Sequence, residues 1–139
     1  MDNEMIDPIT GSCLCGTVRY EVKNCFEKFY LCHCTQCQKI SGSIHVSNLF
    51  GSVDTFHWLS GERNIQRYDY PERGFTNAFC GKCGCGVPYL NQRGTAVVVR
   101  SGTLNGEPRF SNLSKIFNSE RAEWSDLMGS AKVFDAFPV

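Results

Sequence analysis

Eight of the nine cysteines in this chain fall in three tight clusters: Cys13-Leu14-Cys15, Cys32-His33-Cys34-Thr35-Gln36-Cys37 and Cys80-Gly81-Lys82-Cys83-Gly84-Cys85. Thiols two and three residues apart suit one shared metal ion better than bridges to distant partners. An all-sulfur donor set of this kind selects zinc. Eight clustered thiols suffice for one closed four-cysteine site and a second site one ligand short. An open position on zinc is where chemistry can occur.

A secreted disulfide scaffold is the rival reading, and three features oppose it. The cysteine count is odd. The ligand-like spacings repeat. The run Met1-Asp2-Asn3-Glu4-Met5-Ile6-Asp7 is acidic and lacks the basic and apolar regions of a signal peptide. Thiolates kept as metal ligands imply a reducing compartment, so the expected location is cytoplasmic. Lys plus Arg and Asp plus Glu are both 14, so no bulk positive field recommends a nucleic-acid partner. The longest apolar stretch, Ala96-Val97-Val98-Val99, is far too short for a membrane span.

A chain of 139 residues fits one domain, with 1–10 expected as a flexible arm and 11–139 as the zinc-binding domain. The apolar rhythm is mostly of period two. Val18, Tyr20 and Val22 alternate with Arg19, Glu21 and Lys23, and similar short runs lie at 28–32, 43–50, 55–59, 64–70, 75–80 and 95–100. Gly51, Gly61, Gly74, Gly94 and Gly102 punctuate them. The expected fold is mainly β: several short, coiled antiparallel sheets organised around a four-cysteine zinc, with one or two short helices. One helix is predicted over 36–41, with Thr35 as N-cap, Gln38 completing a capping box and Gly42 as the stop. Cys37 would lie in its first turn, where the helix dipole favours thiolate. A second short helix is expected over 119–128.

Cys13-x-Cys15-Gly16 and Cys80-x-x-Cys83-Gly84 each place glycine after a cysteine, as a tight turn with amides aimed at sulfur requires. Cys13, Cys15, Cys80 and Cys83 are therefore assigned to one structural zinc. Cys85 could replace Cys80, because Cys83-Gly84-Cys85-Gly86 repeats the form of Cys13-Leu14-Cys15-Gly16; the Cys-x2-Cys spacing favours Cys80. Cys32, Cys34 and Cys37 can face a second zinc with one position open. A closed site with a fourth ligand from Cys85, Cys25, His45 or His57 is the alternative. His33 sits between two ligands and should point elsewhere. Cys25 reads as a small buried residue, and His45 and His57 as half-exposed strand residues. Zinc with three thiolates carries one net negative charge. It suits holding a fourth sulfur as thiolate better than polarising a carbonyl, which points to thiol chemistry rather than hydrolysis.

Gly11-Ser12-Cys13-Leu14-Cys15-Gly16-Thr17-Val18-Arg19-Tyr20, Cys32-His33-Cys34-x-x-Cys37 and Phe79-Cys80-x-x-Cys83-Gly84, with echoes at Gly102-Thr103-Leu104, Trp124 and Phe137-Pro138, resemble the glutathione-dependent formaldehyde-activating enzyme family. That family also includes centromere protein V. The resemblance spans about residues 11–138. It implies a structural zinc at Cys13, Cys15, Cys80 and Cys83, and an exchangeable zinc at Cys32, Cys34 and Cys37 where glutathione, as co-substrate, meets the metal. It also implies condensation of glutathione with formaldehyde to S-hydroxymethylglutathione, a carbon–sulfur lyase activity. Cys85 departs from the family pattern as a further thiol able to reach the second site.

Six cations, Lys39, Arg63, Arg67, Arg73, Arg93 and Arg100, are available for a ligand's carboxylates, and the sequence does not choose among them. A non-catalytic, zinc-stabilised protein-interaction module is the second functional class. A zinc-bearing methionine sulfoxide reductase fits poorly, since only Cys25 remains as a nucleophile outside the clusters. The sequence leaves the oligomeric state open.

Overall fold

The alternation from Arg19 to Lys23 becomes a strand with Tyr20 and Val22 buried in the computed structural model, which describes residues 7–138. In chain order the elements are β1 (Pro8–Ser12), β2 (Arg19–Lys23), β3 (Lys28–Cys32), α1 (Thr35–Ser41), β4 (Val46–Gly51), β5 (His57–Ser60), β6 (Ile65–Tyr70), β7 (Phe75–Cys80), β8 (Tyr89–Leu90), β9 (Val97–Arg100) and β10 (Leu113–Ile116). They form a three-stranded sheet in the order β1-β2-β5, a five-stranded sheet β10-β3-β4-β9-β8, and the hairpin β6-β7. The protein is a small, mainly β domain.

The five-stranded sheet positions the site, because its two faces have different tasks. Leu49, Val97 and Val99 face a core shared with Ile9, Tyr20, Val22 and Phe26. Leu49 is fully buried, which contributes about 1.5–3 kcal/mol relative to exposure. Residues one step along each strand point the opposite way. Cys32, Tyr30, Asn48, Phe50, Val98 and Arg100 therefore share the second face. A second apolar cluster of Cys13, Val18, Ala78, Cys80 and Val87 ties the β6-β7 hairpin to the first cysteine turn.

Several expectations are corrected. The arm proposed for 1–10 gives way at Pro8, which begins β1: Ile9 pairs with Val22 and is buried in the core, an anchor a free arm lacks. The first six residues of that arm lie outside the described residues. The sheets are not uniformly antiparallel, since β10 runs parallel to β3 with Ile116 opposite Cys32. The run expected as a strand over 43–50 starts only at Val46, and the run over 55–59 starts at His57, after a 3-10 turn at Val53–Thr55. The segment 119–128 forms no α-helix. It makes 3-10 turns at Asn118–Glu120 and Glu123–Ser130, with no buried residue to anchor a longer helix.

Candidate metal centres and adjoining cavity

Two turns build the first cysteine cluster. Gly16 and Gly84 adopt φ of 81° and 77°, a left-handed conformation that a side chain would strain. They fold the chain back so that the Val18 amide donates to Cys13 Sγ at 3.3 Å and the Lys82 amide to Cys80 Sγ at 3.4 Å. Cys13, Cys15, Cys80 and Cys83 thus bring four sulfurs within 4.8 Å of one another. Cys13 and Cys15 sulfurs are 3.6 Å apart, and Cys15 and Cys80 sulfurs 3.9 Å. Sulfurs on a tetrahedral zinc at 2.3 Å are separated by about 3.8 Å, so the donor set fits the ion. The Thr17 hydroxyl and amide beside Cys15 pull its thiol down to about 6, and the Cys85 amide lowers Cys83. Both shifts favour the ligand form.

Cys85 joins neither group. Its thiol donates to the Gly86 carbonyl at 3.3 Å, and burial raises its pKa. Neither does Cys25, which is exposed rather than buried, because Phe26 beside it takes the core position.

The second cluster joins the end of β3 to α1. Cys32, Cys34 and Cys37 sulfurs lie within 4.8 Å of one another, and all three residues are buried. The N-cap of α1 is Cys34, not Thr35: Cys34 Sγ accepts the Cys37 amide at 3.4 Å. The capping box is replaced, because Gln38 Nε2 donates to the carbonyls of His33 at 2.7 Å and Glu120 at 3.1 Å. Gly42 ends the helix in the left-handed conformation. A hydrogen bond from the Cys37 thiol lowers Cys32 to about 6, while that bond and burial raise Cys37; burial raises Cys34.

The His33 ring turns away from these sulfurs and packs against His45, with centroids 5.1 Å apart. Burial lowers both imidazoles, and neither ring nitrogen of His33 has a partner. His45 lies just before β4 and His57 is exposed, and neither joins a cysteine group.

A cavity of about 200 Å³ opens beside Cys32, Cys34 and Cys37. Its floor is the second face of the five-stranded sheet, and its wall carries Arg73, Phe75 and Thr76 of the β6-β7 hairpin. Ile116 and Phe117 close another side. Arg73 reaches across to Glu120 with two hydrogen bonds of 3.1 and 3.0 Å and to Gln36 at 3.0 Å. Glu120 in turn accepts the Thr35 amide at 3.1 Å. Hairpin, helix start and the turn after β10 are thereby latched around the cysteine trio. Tyr89 lines the same space, and burial pushes its phenol up to about 12, so it is a neutral O–H at pH 7. Sequence reasoning missed Asn48, Tyr89, Gln36 and Glu120. Only register and the path of β10 bring them here.

A family model described as glutathione-dependent formaldehyde-activating enzyme matches residues 8–120, a span that holds both cysteine groups and ends at the Arg73 partner. No curated protein matches the chain. Among solved structures, a crystal structure of a Rhodobacter sphaeroides protein is similar to it, with a TM-score of 0.59 at 18% identity, covering 76% of this chain and 98% of that one. At that identity the likeness speaks for the fold alone. With most of its length, and every clustered cysteine, inside the matched span, the chain belongs to the glutathione-dependent formaldehyde-activating enzyme family.

Proposed function

We propose that this protein is a zinc-dependent enzyme of the carbon–sulfur lyase type, acting on adducts of glutathione, or a similar thiol, with formaldehyde or another small aldehyde. The observation that carries this reading is that Cys32, Cys34 and Cys37 line a cavity, whereas none of the four-cysteine group does. Zinc bound by the trio supplies a position that keeps a ligand thiol deprotonated. Cys13, Cys15, Cys80 and Cys83 would hold the structural ion.

The chain's own residues do the rest. Cys34 uses one sulfur both to cap α1 and to face the cavity, which fixes the helix relative to the trio. Tyr30, Phe50, Phe75 and Val98 present apolar surface that limits water around the adduct. Tyr89 offers a neutral O–H inside the cavity, suited to an oxygen gaining charge. In the condensing direction the thiol sulfur bonds the aldehyde carbon, the carbonyl π bond opens, and the thiol proton ends on the new hydroxyl. No oxidant or reductant is needed. Thiolate ligands in both groups support a reducing, cytoplasmic setting.

The test is zinc content per chain before and after dialysis against excess reduced glutathione. The expected result is a fall from about two ions to about one. Cys34→Ser should begin near one and show no turnover; unchanged turnover in that variant sinks the reading. Exposed apolar residues after Glu120, among them Trp124, Leu127, Val133 and Phe137, favour the second reading of an interaction module. Two ions that glutathione leaves in place, with no thiol bound, would support it.

A further inference from the structure

The cavity floor holds two polar groups with nothing to bond. Among the described residues, Arg100 Nε is the one buried guanidinium nitrogen without a partner, and Asn48 Oδ1 is likewise unpartnered. An unmet buried donor or acceptor costs about 1–3 kcal/mol, so each such atom calls for a partner. The two residues are direct neighbours across β4 and β9, with Asn48 opposite Arg100, and both line the cavity. Directly opposed residues on one face bring their side chains within about 5 Å. A donor carrying positive charge thus stands beside a neutral acceptor.

The other cations do not offer this. Lys39, Arg63 and Arg93 are not in the cavity lining. Arg67 is bonded to Asp69 and Thr76. Arg73 is committed to Glu120 and Gln36. Arg100 lines the cavity with one end fixed, Nη2 donating to Asn77 Oδ1 at 2.9 Å, while its buried Nε keeps its donor unused. Its stem also depends on Gly86, where an added Cβ would come within 2.7 Å of Nε. The guanidinium is therefore held in place rather than swinging in solvent.

We propose that Arg100 and Asn48 form a subsite for the α-amino-carboxylate end of a thiol ligand whose sulfur lies at the Cys32–Cys34–Cys37 group. The carboxylate accepts from Arg100 Nε, and the neighbouring ammonium donates to Asn48 Oδ1. In glutathione that end is the γ-glutamyl group. The inference rests on the thiol-adduct reading above and adds the chemistry that selects the thiol.

The test is calorimetric binding to the zinc-loaded full chain of three probes: glutathione, its glutaryl analogue lacking the ammonium, and 2-mercaptoethanol lacking both charges. A hydrogen bond to a charged group is worth about ten- to a hundredfold in affinity. Wild type should prefer glutathione over the glutaryl analogue by about tenfold or more. Asn48→Leu should erase that preference. Arg100→Gln should weaken both glutathione and the glutaryl analogue by about tenfold or more and leave 2-mercaptoethanol unchanged. Arg100→Lys, which keeps the charge, covers the case in which Arg100→Gln does not fold. It should retain part of the affinity for the carboxylate. Glutathione binding that needs Cys34 but is indifferent to Arg100 and Asn48 overturns this inference and spares the thiol reading. A wild-type protein that binds none of the probes overturns both.

Discussion

Cys34 has two tasks that a pair of substitutions separates. Its sulfur belongs to the cavity trio, and it also caps α1 by accepting the Cys37 amide at 3.4 Å. Serine is among the preferred N-cap residues but a poor substitute for a thiolate on zinc. Cys34→Ser and Cys34→Ala should therefore lose the same metal ion and differ only in the cap. Loss of an N-cap costs about 0.5–2 kcal/mol, and the amide left behind belongs to Cys37, which is only 3% exposed. An unmet buried amide places the gap near about 1–2 kcal/mol, the alanine variant being the weaker. For a chain of this size that is about 3–10 °C in melting temperature. The assay is thermal unfolding by circular dichroism in excess reductant, with zinc counted by elemental analysis in the same samples. Equal zinc with an alanine variant melting well below the serine variant is the expected result. Equal melting temperatures, or a less stable serine variant, would refute Cys34 as the cap.

Cys80→Ser strikes the other group. It should remove that ion and lower stability far more than Cys34→Ser, because structural zinc is worth about 10–16 kcal/mol in zinc-finger peptides against about 5–15 for a whole domain; far-UV circular dichroism and zinc content check it. Leu49→Ala empties a fully buried core position on the sheet face away from the cavity, and should cost about 2–5 kcal/mol in urea unfolding with glutathione affinity unchanged. Arg73 holds the Glu120 carboxyl below its ordinary value. That contribution is present above the ordinary carboxylate range and lost as pH falls through the lowered value. Wild type should thus be more stable than Glu120→Gln at neutral pH, and the two should converge in acid; parallel stability curves would refute the latch.

Much of the fold was legible because cysteine spacing and period-two alternation are local. The turns at Gly16 and Gly84, the strand 75–80 and the end of α1 at Gly42 could all be read where they stand. The misses share a cause. Thr35 is a better N-cap than cysteine on intrinsic preference, but the sulfur of Cys34 was already held in place by β3. Cys25, a lone cysteine, reads as a small interior residue, yet Phe26 beside it occupies the core. Asn48, Arg100 and Glu120 acquire meaning only through pairings that no local pattern encodes: β4 against β9, and β10 against β3. Choosing one cation among six required seeing which were already bonded.

The parallel pairing of β10 with β3 has a consequence in time. Cys32 ends β3 and lies opposite Ile116, so its sheet edge stays open until β10 has been made. About eighty residues separate them, roughly 4–16 s of synthesis at about 5–20 residues per second. Through that interval a nascent chain carries an unpaired strand edge next to three clustered thiols, open to oxidation and to association with other chains. Early metal capture by Cys32, Cys34 and Cys37 would protect the thiols, and only arrival of the last strand can close the edge.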